Sequence, residues 1–172
     1  MYYGTIIQTV IMESISTAPL WGTWKLVSCR LRTISNEGVE SFHVGPFGSD
    51  PLGRITMTPD GYFSVLSTST EATSQGHISN WSTGLAEDIA TVARPMVTYC
   101  GPFSAWKEGQ DSILGIDVEV ALNPTLIGVT MKRIWTIQQE NNRILLALKG
   151  KEQHTMPNGV TGQLELLWEK IL

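Results

Sequence analysis

The residues able to do chemistry are few. Asp117 and Glu119 stand two apart in an extended stretch, so both side chains leave the chain on one face. Two carboxylates enclosed by apolar groups would push at least one pKa up and supply a general acid or base. The alternative leaves them in water while Ile116, Val118 and Val120 turn inward. Arg133 shares a face with Trp135. Turned inward it needs an acidic partner, because an unpaired buried charge is strongly disfavoured. Glu119 on the preceding strand is the natural candidate. The competing role is structural, an ion pair stapling strands near Trp24. Tyr99 can offer a phenol to a ligand carbonyl, or stand in a wall with its hydroxyl in water. Arg54 and Thr56 lie opposite Ile55 and Met57, where they either bind a ligand oxygen or are solvated. The candidate acid–base and hydrogen-bonding set is therefore Tyr99, Glu119, Asp117 and Arg54. The candidate lining is Trp106, Trp81, Arg133, Trp135, Phe103 and Met57, since large rings make the walls of apolar pockets. Trp24 and Trp168 read as core.

Other chemistries lack their residues. No P-loop or G-x-G-x-x-G supports phosphate or dinucleotide binding, and H-E-x-x-H and G-x-S-x-G are absent. His43, His77 and His154 lie far apart, and no Cys/His cluster has zinc spacing. No cofactor and no metal are expected. Cys29 and Cys100 read as two free thiols rather than a disulfide framework. With 12 Lys and Arg against 16 Asp and Glu, the net charge of -4 argues against nucleic acid or an anionic membrane surface as partner. Charged residues are 16%, below the roughly 25% usual for soluble domains, which fits a chain that encloses an apolar cavity or hides polar surface. The apolar run Ile6–Met12 has no preceding cation and is broken by Gln8 and Thr9, so it does not read as a signal peptide. No stretch approaches the ~18 apolar residues of a membrane span. These features point to a cytoplasmic protein, with a homodimer left open.

The elements that must position these residues are short extended segments separated by turns. They run over Trp24–Thr33, Val39–Val44, Leu52–Thr58, Tyr62–Ser67, Met96–Trp106, Ile113–Ala121, Ile127–Gln138, Arg143–Leu148 and Gly162–Lys170. In the first, Trp24, Leu26, Ser28 and Arg30 are expected on one face. Pro59-Asp60-Gly61 and Asn141-Asn142 supply tight turns. One helix is expected after Thr83 as cap, with Leu85, Ile89 and Val92 as its apolar stripe and Pro95 as its stop. It can lid one end. Tyr2–Ile15 can be a further helix or an added strand. Eight to ten strands at even spacing predict an all-β, antiparallel up-and-down β-barrel, with a β-sandwich as the alternative.

Particular segments carry a resemblance. LWGTWKLVS (Leu20–Ser28), DPLGRITMTPDGYFSVL (Asp50–Leu66), VTYCGPFSA (Val97–Ala105), VEVALNPTLIGVTMKRIWTI (Val118–Ile137) and LELLWEK (Leu164–Lys170) resemble, in the same order, the lipocalin-like domain proteins of bacteria and fungi. The similarity covers Leu20–Leu172 and leaves residues 1–19 as an N-terminal extension. It implies a barrel with a central pocket for a small hydrophobic molecule, and no single activity. Similar barrels in fungal secondary-metabolite pathways are cyclases, isomerases or pericyclases. The family pattern often has histidine before the Val-Glu pair, where this sequence has Asp117, which weakens histidine-based chemistry. The resemblance also implies an arginine near the last strands packed over the Gly-x-Trp tryptophan, a role open to Arg133. Two functions are expected: a cofactor-independent cyclase or isomerase acting on a polyketide or terpenoid intermediate, or a non-catalytic carrier of the same ligand class.

Overall fold

The structure is a computed structural model and describes residues 13–74, 78, 80–156 and 158–171. Eleven strands form one antiparallel sheet, and eight of them close into a ring. The ring is β2 (Gly22–Ile34), β4 (Pro51–Met57), β5 (Tyr62–Ser69), β6 (Val97–Glu108), β7 (Asp111–Asp117), β9 (Thr130–Glu140), β10 (Arg143–Thr155) and β11 (Thr161–Ile171), with β11 returning to β2. Closure removes the free edges that an open sheet would expose. Three short strands sit beside the ring. β1 (Glu13–Ser14) pairs with Lys107 and Trp106, β3 (Glu40–Val44) pairs with the far half of β2, and β8 (Val120–Ala121) pairs with β6. The barrel reading is thus correct and the sandwich is not adopted. The N-terminal expectation falls largely on residues outside the described set; its end, Glu13–Ser14, is an added strand.

The turns form where the sequence calls for them. Gly61 takes φ 88° beside Thr58 and Tyr62, and Asn141 and Asn142 take φ 46° and 63° between β9 and β10. Inside the ring, Trp24, Leu26, Ile55, Met57, Phe63, Val65, Phe103, Leu114, Ile116, Leu146, Leu148 and Trp168 make a continuous core. One end is sealed. Leu20, on a 3-10 turn at Ala18–Leu20, is fully buried, and its carbonyl accepts the Trp24 indole N–H at 2.8 Å. The other end is plugged on one side by Phe47, which reaches in from the β3–β4 connection.

Three local expectations need correction. Trp168 pairs with Leu26 but Leu167 pairs with Ser28, so Val27 is an extra residue in β2. This bulge shifts the alternation: Cys29 and Leu31 join Trp24 and Leu26 inside, and Arg30 faces out. The helix after Thr83 is shorter than expected. Here α1 is Thr70–Ser74 and α2 is Ala86–Ala93. Leu85 stands at the α2 N-cap with no side-chain cap, so Thr83 does not serve as one. Leu85 is 64% exposed and α2 fully buries nothing, so the stripe does not act as a packed lid. Ile113–Ala121 is not one strand: it breaks after Asp117, where Gly101 lets the β7 end approach so closely that a Cβ there would collide with the Asp117 carbonyl.

Candidate functional site

The wall of the barrel splits in one place. β9 and β10 pair from Glu140–Arg143 up to Arg133–Gly150, then part. Beyond that point β9 stays with β7 through Met131 and Thr130, whereas β10 follows β11. The cause is local. Lys149 faces Glu165 and Gln153 faces Gln163, so β10 spends four steps where β11 spends two. The excess residues bulge β10 away from its neighbour. The result is a cleft of about 570 Å³, within the usual range for a small-molecule site, bordered by Val129–Arg133, Gly150–His154 and Leu164.

Strand alternation decides what the cleft sees. Met131 pairs with Ile116 and Arg133 with Leu114, and both Ile116 and Leu114 are core residues, so Met131 and Arg133 point inward. Trp135, two residues on, shares that face and packs against the core. Arg133 is half-buried, and among the described residues its guanidinium reaches only the Lys132 carbonyl, at 3.1 Å. Among the described residues no carboxylate pairs with it. The expected Arg133–Glu119 pair does not form, because Glu119 lies past the end of β7 on the outer side, where it accepts the Tyr62 hydroxyl at 2.9 Å. Nor does Arg133 pack over Trp24. Lys170 does so, with Nζ 5.3 Å from the ring.

Several buried polar atoms on the inner wall have no partner among the described residues. These are the indole nitrogens of Trp135 and Trp168 and the Ser67 hydroxyl, and Thr68 carries another on the outer face of β5, opposite exposed Leu52. Burying such a group without a partner costs about 1–3 kcal/mol. Tyr99 is buried inside, its ring stacked on Phe63 at 5.6 Å, and its hydroxyl bonds to no described residue. Phe103 and Met57 are also inside, Met57 towards the sealed end beside Gly22.

The remaining candidates lie outside the barrel. Asp117 is exposed and accepts the Thr130 hydroxyl at 2.6 Å. Arg54 faces out because Ile55 and Met57 take the inner positions of β4, and its guanidinium donates to the Gly53 carbonyl at 2.8 Å. Trp106 lies on the outer wall, over Gly115, where a Cβ would meet its ring at 2.5 Å. Its indole donates to Glu108 at 3.0 Å, and Lys132 sits 5.7 Å above the ring. Trp81 is 52% exposed in the turn before α2. His77 is outside the described residues. Among the described residues no group of three His, Cys, Asp or Glu can hold a metal ion.

Two cysteines differ in setting. Cys29 is buried inside, and desolvation pushes its thiol up to about 12 against a smaller opposing effect of the Phe47 backbone. Cys100 is half-buried and faces the Tyr62 hydroxyl at 3.6 Å. Hydrogen bonds to Cys100 and then to Glu119 raise the Tyr62 pKa well above the usual phenol range, so this exposed cluster keeps Tyr62 protonated. Sequence reasoning missed the unpaired Trp168 nitrogen and the cleft itself. The only trace of the cleft in the sequence is Gly150 among the polar residues Lys149, Lys151, Glu152 and Gln153.

Compared with known families, the chain matches the model of a lipocalin-like domain over residues 21–171. No curated protein and no solved structure matches it significantly. Among the described residues no helix is long and apolar enough to cross a membrane.

Proposed function

The chain belongs to the lipocalin-like domain family, and from that premise we propose that its barrel binds a small, largely apolar molecule bearing oxygen acceptors. The observation that carries this reading is the set of buried donors on an apolar inner wall with no partner among the described residues, the Trp135 and Trp168 indoles and the Ser67 hydroxyl, with the Tyr99 phenol beside them bonded to no described residue. A ligand that accepts from them would offset a cost the free protein bears. The cleft between β9 and β10 is the entry. The lower barrel is already filled by Trp24, Met57 and Phe63, so the ligand occupies the split end and displaces little.

The test uses neutral apolar probes, dodecanol and a steroid ketone, followed by tryptophan fluorescence and thermal melting. Saturable quenching with a raised Tm is the expected result. No binding by any apolar probe across the micromolar range would sink the reading.

The second reading is a cofactor-independent cyclase or isomerase on a polyketide or terpenoid intermediate. Tyr99 favours it: an unpaired phenol inside an apolar wall can donate to a carbonyl as charge develops there. Asp117, Glu119 and Arg54 lie outside, so this reading rests on shape and donors, with no inner carboxylate as base. Bonds would reorganise within the substrate, which needs no co-reactant. Tyr99→Phe separates the two readings. A carrier loses affinity alone, whereas a cyclase loses about a hundredfold in kcat.

A further inference from the structure

We infer that the ligand is an apolar acid whose carboxylate is bound by Arg133 at the split between β9 and β10. This rests on the binding reading above and narrows it to one chemical class. Four observations converge. Arg133 points to the inner side of the wall, since it pairs with Leu114 on one flank and Gly150 on the other. Its guanidinium spends one N–H on the Lys132 carbonyl and meets no acid among the described residues. Leaving a half-buried guanidinium without an anion is costly, and a planar fork of donors is the group best matched to a carboxylate.

The second observation is the company it keeps. Trp135 follows two residues later on the same face, roughly 7 Å along the strand, and its indole nitrogen is buried without a partner. A polar atom of the ligand that passes inward from Arg133 along this face would give that donor its first partner. Third, the cleft offers an apolar path for a ligand tail: Met131 and Leu164, among its otherwise mostly polar lining, pack against the core. Gly150, opposite Arg133, adds no side chain to close the space.

Fourth, the competing charges are accounted for. Lys132 and Lys151 border the cleft, but Glu108 on the outer wall holds both, Lys132 at 3.9 Å. Glu152 lies in the β10 bulge and forms no ion pair with Arg133, and His154 stands at the rim. The guanidinium is thus the one cation of the lining that is turned inward and left without an acid among the described residues.

The experiment compares dodecanoate, dodecanol and dodecylammonium by calorimetry below their micelle concentrations, with wild type, Arg133→Gln, Arg133→Lys and Trp135→Phe. Wild type is expected to bind dodecanoate about tenfold or more tighter than dodecanol, a charged hydrogen bond's worth. Dodecylammonium should bind weakest. Arg133→Gln should bring dodecanoate level with dodecanol and leave dodecanol unchanged. Arg133→Lys should keep part of the preference, and Trp135→Phe should weaken both oxygen-bearing probes. Higher salt should weaken dodecanoate alone. Equal binding of dodecanoate and dodecanol by wild type, or a preference that survives Arg133→Gln, overturns the inference and leaves the binding reading standing. Failure of dodecanol and dodecanoate overturns the inference, and failure of the steroid ketone as well overturns both. The wild-type comparison of head groups decides the matter even if a variant melts before it can be assayed.

Discussion

The two ends of the barrel solve the same packing problem in opposite ways. At the sealed end the ladder is complete, from Ile171–Thr23 through Gly22–Met57 to Met57–Phe63. There Trp24 is fully buried, its indole bonds to the Leu20 carbonyl, and Lys170 caps its ring. At the split end β9 and β10 part, and among the described residues the Trp135 indole has no partner and the Arg133 guanidinium has no acid, only the Lys132 carbonyl. Complete strand pairing leaves room for a core that satisfies itself. An interrupted ladder leaves space and donors that the protein does not use. Optimising the second end for stability would remove what a ligand needs, the usual trade between the two.

The contrast can be broken most severely at the sealed end. Trp24→Ala should cost about 3–5 kcal/mol, the range for emptying a large aromatic site in a core. A companion pair is sharper, because it makes one substitution at two indoles. Trp24→Phe should lose about 1–2 kcal/mol, since it orphans the Leu20 carbonyl, whereas Trp168→Phe should be close to neutral, since it removes an unpaired donor. Chemical denaturation measures both. Equal losses at the two tryptophans would show that the partnered and unpartnered indoles do not differ in energy.

The wall between the ends offers a second check through Cys29. Burial raises its pKa, so the folded protein keeps a proton that the unfolded chain releases. The stability it contributes is therefore complete below about pH 9, the ordinary thiol value, and is lost as pH rises towards about 12. The expected slope is at most about 1.4 kcal/mol per pH unit for one proton. Cys29→Ala should flatten the fall in denaturation midpoint above pH 9. A thiol that reacts as fast as a free one with a disulfide reagent would mean that water reaches this part of the wall.

The smallest effect belongs to the split end. Arg133→Met replaces a half-buried cation that has no acidic partner among the described residues with an apolar chain, and should leave the unfolding free energy unchanged or raise it by up to about 1 kcal/mol. A loss above 2 kcal/mol would assign Arg133 a structural role instead of a ligand-facing one.

Much of the architecture could be read from residue order. The Pro59-Asp60-Gly61 and Asn141-Asn142 turns and the alternation of Ile55 and Met57 against Arg54 and Thr56 follow from local geometry, which acts between neighbours in the chain. The helix was legible in its position and in its stop before Pro95, but not in its packing, because an amphipathic stripe does not say whether anything lies beneath it. The candidate site was half legible. Tyr99, Phe103, Met57, Trp135 and Arg133 reach the inner wall, while Asp117, Glu119, Arg54, Trp106 and Trp81 do not.

What the sequence alone determined is the barrel class, the turns, the apolar interior and the family. Each depends on residue type and short-range spacing. Which side chains face inward past a bulge, and which are left unpaired, was decided by tertiary structure. The extra residue at Val27 moves Arg30 outside and Cys29 inside, and the excess in β10 opens the wall at Arg133. A bulge is defined by a mismatch between two paired strands, so neither strand's own sequence contains it.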